Sequence, residues 1–183
     1  MVQDVTERKQ LQLQLEQIAV HDFLTGLANR REGMAYLEAQ VALCQRLSLP
    51  LGLCFIDIDH FKLINDEHGH AVGDEVLRRV ARTLRDLLRR EDLVCRWGGE
   101  EFLLIAPGID APHTLQLAEK VCAAVQHLPG DGLPAVTLSI GVAALPAQGC
   151  RPEALIAQAD QALYQAKRTG RNRVLLGSGE ALG

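Results

Sequence analysis

Arg96-Trp97-Gly98-Gly99-Glu100-Glu101-Phe102 is the stretch on which the reading of this chain turns. The two glycines stand between strand-favouring residues, with Leu93, Val94, Cys95 and Trp97 before them and Phe102, Leu103, Leu104 and Ile105 after. That pattern predicts a two-residue hairpin turn, in which positive φ costs glycine nothing. Two carboxylates follow at once. Without a Cβ on Gly98 or Gly99, a bulky anionic ligand can approach the backbone, and a hard cation on Glu100 and Glu101 would bridge them to phosphate oxygens. Taken alone, the stretch reads more simply as a solvated hairpin tip with two ordinary acids. The rest of the chain decides.

Outward from the hairpin, the 183 residues, 48% hydrophobic, suit one globular domain with a substantial core and a short appendage. A net charge of −4, from 19 basic and 23 acidic residues, with no long Lys/Arg block, argues against a nucleic-acid polymer as partner and leaves a mononucleotide open. The five cysteines (Cys44, Cys54, Cys95, Cys122, Cys150) are odd in number, lie mostly in apolar runs and lack metal-type spacing. They read as small buried hydrophobes in a reducing compartment. There is no long apolar span and no signal-like N-terminus, so the expected location is the cytoplasm, with no membrane segment in this chain.

Val2 to Ala19 is rich in helix formers, and Leu11, Leu15 and Ile18 fall on a coiled-coil seam, which predicts an N-terminal helix able to pair with a second copy. His21 to Arg31 reads as a loop with a Thr25-Gly26 turn and Asn29 as N-cap of a helix through Met34, Leu37, Val41, Cys44 and Leu47. Leu51 to Ile58 is a strand covered on both faces, with Asp57 and Asp59 at its exit. His60 to Gly73 is polar and glycine-punctuated, and a long helix then runs from about Val76 to near Arg90. Beyond the hairpin come a helix over Leu115 to Val125, a strand over Ala135 to Leu145, a helix from Pro152 capped by Gly170, and a strand at Val174 to Leu176. Gly141, inside the strand over Ala135 to Leu145, signals a bulge or a close backbone contact. The expected fold is α/β of the α+β kind: a mixed, largely antiparallel five-stranded sheet flanked by helices. The divisions are an N-terminal helix and linker over 1–20, a globular domain over 21–176 and a disordered tail over 177–183.

If the Asp57 strand and the Glu100-Glu101 hairpin are sheet neighbours, their acids gather and repel until a divalent ion neutralises them. An oxygen-only set suits Mg²⁺ or Mn²⁺, with further ligands borrowed from substrate phosphates, and Lys62 is then a cation for the phosphate chain. Each residue also has a plainer role. Asp74 is a first-turn acid, Lys167 and Arg171 suit a helix C-terminus, and His68 and His70 are loop residues with no third ligand for zinc.

Ordered along the chain stand His21-Asp22-Phe23-Leu24-Thr25-Gly26-Leu27-Ala28-Asn29-Arg30-Arg31, Phe55-Ile56-Asp57-Ile58-Asp59-His60-Phe61-Lys62, Asn65-Asp66, Gly69-His70, Gly73-Asp74, Gly98-Gly99-Glu100-Glu101-Phe102, Tyr164-Gln165-Ala166-Lys167 and Gly170-Arg171-Asn172. This set resembles the GGDEF family of diguanylate cyclases over about residues 20 to 176. The resemblance implies condensation of two GTP into cyclic di-GMP with release of pyrophosphate, on a fold similar to the palm of polymerases and nucleotidyl cyclases. It implies magnesium on Asp57, the Ile58 carbonyl, Glu100 and Glu101. Asn65 and Asp74 would read guanine, His70 would line the pocket, and Lys62, Lys167 and Arg171 would hold phosphates. Glu100 would also assist deprotonation of the attacking hydroxyl, and Arg89 with Asp92 would form an inhibitory product site. A product joining two nucleotides symmetrically calls for a homodimer. Asp4-Val5-Thr6-Glu7-Arg8-Lys9 is similar to the closing segment of PAS sensor domains, which implies an upstream sensor. Other readings are a silent receptor for GTP or cyclic di-GMP, a structural dimerisation module, and a cyclase making a one-nucleotide product.

Overall fold

The computed structural model describes residues 2–178. In order these form α1 (Val2–Ile18), α2 (Arg30–Leu47), β1 (Leu51–Ile58), α3 (Phe61–His68), α4 (His70–Asp86), β2 (Leu93–Arg96), β3 (Glu101–Pro107), α5 (Ala111–Gln126), β4 (Leu138–Ala144), α6 (Pro152–Arg168) and β5 (Arg173–Leu176). The sheet order is β2-β3-β1-β4-β5. Only the β4–β5 pair is parallel, so the sheet is mixed and largely antiparallel with helices on both faces, as the sequence predicts.

Strand β1 lies at the centre and is buried at all eight positions, which accounts for its almost unbroken apolar run. Alternate side chains go to opposite faces. Cys54, Ile56 and Ile58 join the core under α3, α4 and α5, whereas Leu51, Leu53 and Phe55 join the core under α2 and α6. Each large apolar side chain so buried contributes about 1.5–3 kcal/mol. The same alternation makes Asp57 the polar end of the Leu51-Leu53-Phe55 row. Glu101 likewise ends the Leu103-Ile105 row of β3.

Gly141 of β4 lies under α6. A Cβ there would stand 2.0 Å from the Ala159 carbonyl oxygen and 2.3 Å from the Leu163 nitrogen. The β1–β4 register runs through Gly141 without a bulge, so the glycine serves close approach of the helix. Asn29 caps α2 by accepting from the Glu32 N–H at 2.9 Å, and Pro152 opens α6.

Four features depart from the sequence reading. His60–Gly73 contains α3, a short helix whose buried side, Phe61 and Ile64, is too brief to show a period among Lys62, Asn65, Asp66 and Glu67. Helix α4 stops at Asp86, short of Arg90. Strand β4 begins at Leu138 rather than Ala135. The hairpin tip is wider than a two-residue turn. Pairing ends at Arg96↔Phe102, and the Trp97 and Gly98 N–H groups both donate to the Glu101 carbonyl at 2.8 and 3.2 Å. Gly98, Gly99 and Glu100 form the tip, and neither glycine has positive φ. Space is what Gly98 supplies: a Cβ there would sit 2.7 Å from Glu101 Oε2.

Cys44, Cys54, Cys95 and Cys122 are buried, Cys150 is partly so, and all are free thiols. Of the expected seam on α1, Leu11 and Leu15 are exposed, and the Ile18 side chain lies outside the described residues. At the other end the Gly177 N–H donates to the Val142 carbonyl at 2.7 Å, and positions 179–183 of the expected tail lie outside the described residues. No helix among the described residues is long and apolar enough to cross a membrane.

Candidate active site

Adjacency of β1 and β3 puts Asp57 directly opposite Glu101 in the antiparallel register. Glu100 is held beside them because the Ile58 N–H donates to its carbonyl at 3.2 Å. Across the face, the close approach of α6 brings Lys167 Nζ to 2.8 Å from Asp57 Oδ2. Three carboxylates and one ammonium therefore share the rim of the sheet, drawn from elements up to 110 positions apart.

Burial pushes the Asp57 carboxyl above its ordinary range, against the hydrogen bond and charge of Lys167. Glu100 is pushed up by burial and by the charges of Asp57 and Glu101, and Glu101 by burial and by Asp57. Such mutual repulsion is what a divalent cation relieves. The donor set fits a hard ion, being all oxygen. Among the described residues no three His, Cys, Asp or Glu side chains are gathered at metal-holding spacing. Carboxylates with a backbone carbonyl would leave the remaining ligands to water and substrate phosphates, the habit of magnesium.

Asp59, which the sequence places beside Asp57 at the strand exit, does not join these acids. Its carboxylate accepts from Thr137 Oγ1 and Ser139 Oγ, both at 2.6 Å, and from the Asn172 N–H at 3.0 Å. It thereby holds the turn in which Arg171 (φ 60°) and Asn172 (φ 45°) are both left-handed. Arg171 adds positive charge near Asp57 through this turn.

Lys62 is exposed in the first turn of α3, and His70 is exposed at the start of α4. Asn65 packs on Gly73, where a Cβ would meet its Oδ1 at 1.9 Å. That buried Oδ1 has no hydrogen-bond partner. Asp74, next to Gly73, is half-buried, so the two expected guanine-reading residues sit on helices that touch. A separate locus holds Arg89 and Asp92. Asp92 accepts from Arg89 N–H, Nε and Nη2 at 2.9, 3.2 and 2.8 Å, and its side chain is 1% exposed. Arg89 also donates to the Pro107 carbonyl at 3.0 Å.

Two residues at the tip carry no role in the sequence reading. Arg96 donates from Nε and Nη2 to the Gly99 carbonyl, at 3.1 and 2.8 Å. Trp97 packs edge-on against Phe55 with centroids 6.1 Å apart, and Arg30 lies 4.3 Å above its ring. Their position inside the quoted stretch is the only signal the sequence offered.

A mixed sheet whose rim collects acids, a lysine and an arginine-braced glycine turn defines an α+β domain with an all-oxygen acidic site on its sheet edge. The model of the "Diguanylate cyclase, GGDEF domain" family matches residues 19–173. The chain belongs to the GGDEF-domain diguanylate cyclase family. It is 46% identical over 175 residues to diguanylate cyclase DgcM of Escherichia coli K12, covering 96% of this chain and 42% of DgcM, so it spans less than half of that relative. The GGDEF domain of DgcB from Caulobacter crescentus, solved in complex with c-di-GMP, superposes with a TM-score of 0.82 at 35% identity, covering 86% of this chain and 95% of that one. The coiled coil and GGDEF domain of the same protein, also with c-di-GMP, gives 0.82 at 31% identity and covers 96% of each chain.

Proposed function

We propose that the chain is a diguanylate cyclase domain that joins two GTP into cyclic di-GMP with release of two pyrophosphates. The observation that carries this reading is the pairing of Asp57 with Glu101 across neighbouring strands, with Glu100 on the adjoining tip and Lys167 over them. Asp57, the Ile58 carbonyl, Glu100 and Glu101 would hold Mg²⁺ or Mn²⁺, which when bound supplies charge neutralisation at the reacting phosphate.

Asn65 and Asp74 read the guanine edge with His70 beside the base, and the free Asn65 Oδ1 supports a ligand there. Lys62 and Arg171 hold the phosphate chain. Lys167 joins them once Asp57 is engaged elsewhere. The Glu100 carboxylate takes the proton of the attacking 3′-hydroxyl, the new bond forms at the α-phosphate of the facing nucleotide, and the bond to the β-phosphate breaks. Each domain offers one such site, so the catalyst is a homodimer. Helix α1, with Leu11 and Leu15 exposed, is its pairing element and its link to an upstream sensor. Product binds at Arg89, whose guanidinium Asp92 pre-orients, and inhibits.

The test is incubation of nucleotide-stripped protein with GTP and Mg²⁺ and identification of products by mass spectrometry. Cyclic di-GMP from the parent and none from Glu100→Ala is the expected result. GTP binding without product, even after dimerisation is enforced by a longer coiled coil, would instead make this a receptor.

A further inference from the structure

The Arg96 guanidinium spans two parts of the chain. Nη1 donates to Asp22 Oδ1 and Oδ2 at 3.2 and 3.3 Å, while Nε and Nη2 donate to the Gly99 carbonyl. Asp22 is itself fixed, accepting from the Thr25 N–H at 2.9 Å and Thr25 Oγ1 at 2.7 Å. Its turn is stitched to the end of α1. Asn29 Nδ2 donates to the Ala19 carbonyl at 2.6 Å, the Asn29 N–H to the Val20 carbonyl at 3.0 Å, and the Asp22 N–H to the Leu27 carbonyl at 2.7 Å.

The Gly99 carbonyl shares its peptide plane with the nitrogen and Cα of Glu100. Whatever orients that carbonyl therefore orients the backbone from which the Glu100 carboxylate projects. Glycine at 99 leaves the tip no side chain with which to brace itself, and a Cβ there would touch nothing within 4 Å. We propose that Arg96 is a positioning residue that ties the end of α1, through Asp22, to the Gly99 carbonyl and so sets the Glu100 carboxylate. The proposal rests on the cyclase reading of that site. A shift at the end of α1 is then felt as a change in turnover.

A lysine keeps the charge of Arg96 but lacks the planar fork that serves both partners. Arg96→Lys should lower kcat at least about tenfold while KM for GTP stays within about twofold, since guanine and phosphate contacts lie on other elements and small misplacement at the reacting centre acts on turnover. Asp22→Asn should lower kcat in the same direction by less, and the double variant should be no worse than Arg96→Lys alone.

Trp97, the single tryptophan, sits between Arg96 and Gly98 and reports the tip without any turnover. Asp22→Asn should shift its emission and raise acrylamide quenching. An active parent whose kcat is unchanged in Arg96→Lys, additive losses in the double variant, or kcat falling in step with a rising KM would overturn the proposal. Should Arg96→Lys fail to fold, Asp22→Asn carries the test. A parent that makes no cyclic di-GMP defeats the cyclase reading, and unaltered Trp97 emission in Asp22→Asn separately defeats the tie.

Discussion

Asp57 and Asp59 stand two positions apart, yet one lies on the acidic rim beside Glu101 and Lys167 and the other is bonded into the fold. Asp59→Ala strands three donors, the Thr137 and Ser139 hydroxyls and the Asn172 amide. The expected loss is about 3 kcal/mol in urea unfolding, with Arg171 released from its left-handed turn. Asp22 titrates differently. Burial raises its carboxyl, but the Thr25 hydroxyl and amide and the Arg96 charge outweigh this, and the folded group lies below its ordinary 3.8. A depressed carboxyl adds stability above its unfolded value and loses it as pH falls through the folded one. The stability gap between parent and Asp22→Asn should therefore be full at neutral pH and close as acid is added below 3.8, read by thermal melting across pH. The residue types of the rim were legible in the motif, since Asp57, Glu100 and Glu101 are acids around a glycine turn. The division between Asp57 and Asp59 was not, because it depends on Thr137, just before β4, and Ser139 within it, about eighty positions away.

Elements, rather than single residues, explain two of the glycines. Gly141→Ala drives a methyl into the backbone of α6, which cannot yield as a side-chain tip would, and should cost about 1–3 kcal/mol and weaken the Lys167–Asp57 contact. Gly73→Ala meets the end of the Asn65 side chain, which can swing aside, and comes within 3.3 Å of Phe61 Cζ, which has to give by only a few tenths of an ångström. With Asn65 reading guanine as proposed, the expected signature is a melting temperature close to the parent's with GTP affinity reduced about tenfold, measured by calorimetry, consistent with the loss of one good hydrogen bond. Long periodic segments such as α2, α5 and α6 were legible because their apolar stripes span several turns. Helix α3 was hidden because eight residues carry just two buried positions. The tip was misread as a two-residue turn because Gly-Gly satisfies that rule locally, whereas its width is set by the bonds from Trp97 and Gly98 to the Glu101 carbonyl.

At the scale of the molecule, the proposed product, built symmetrically from two nucleotides, would make activity a property of a pair. Specific activity should fall on dilution of the purified chain, approaching proportionality to concentration where monomers dominate, and fusing a longer coiled coil ahead of α1 should abolish that dependence. On the proposed product site, Arg89→Ala should leave initial rates unchanged and extend product accumulation. The sheet order carries a further consequence, in the time in which the protein is made. Its central strand is the first to be synthesised, but the ammonium that answers Asp57 lies 110 positions later, on α6. At ribosomal speeds that is a delay on the order of ten seconds. A nascent chain can therefore build β1 to β4 while its acidic rim still lacks its ammonium, and the rim gains that charge only once α6 has been made.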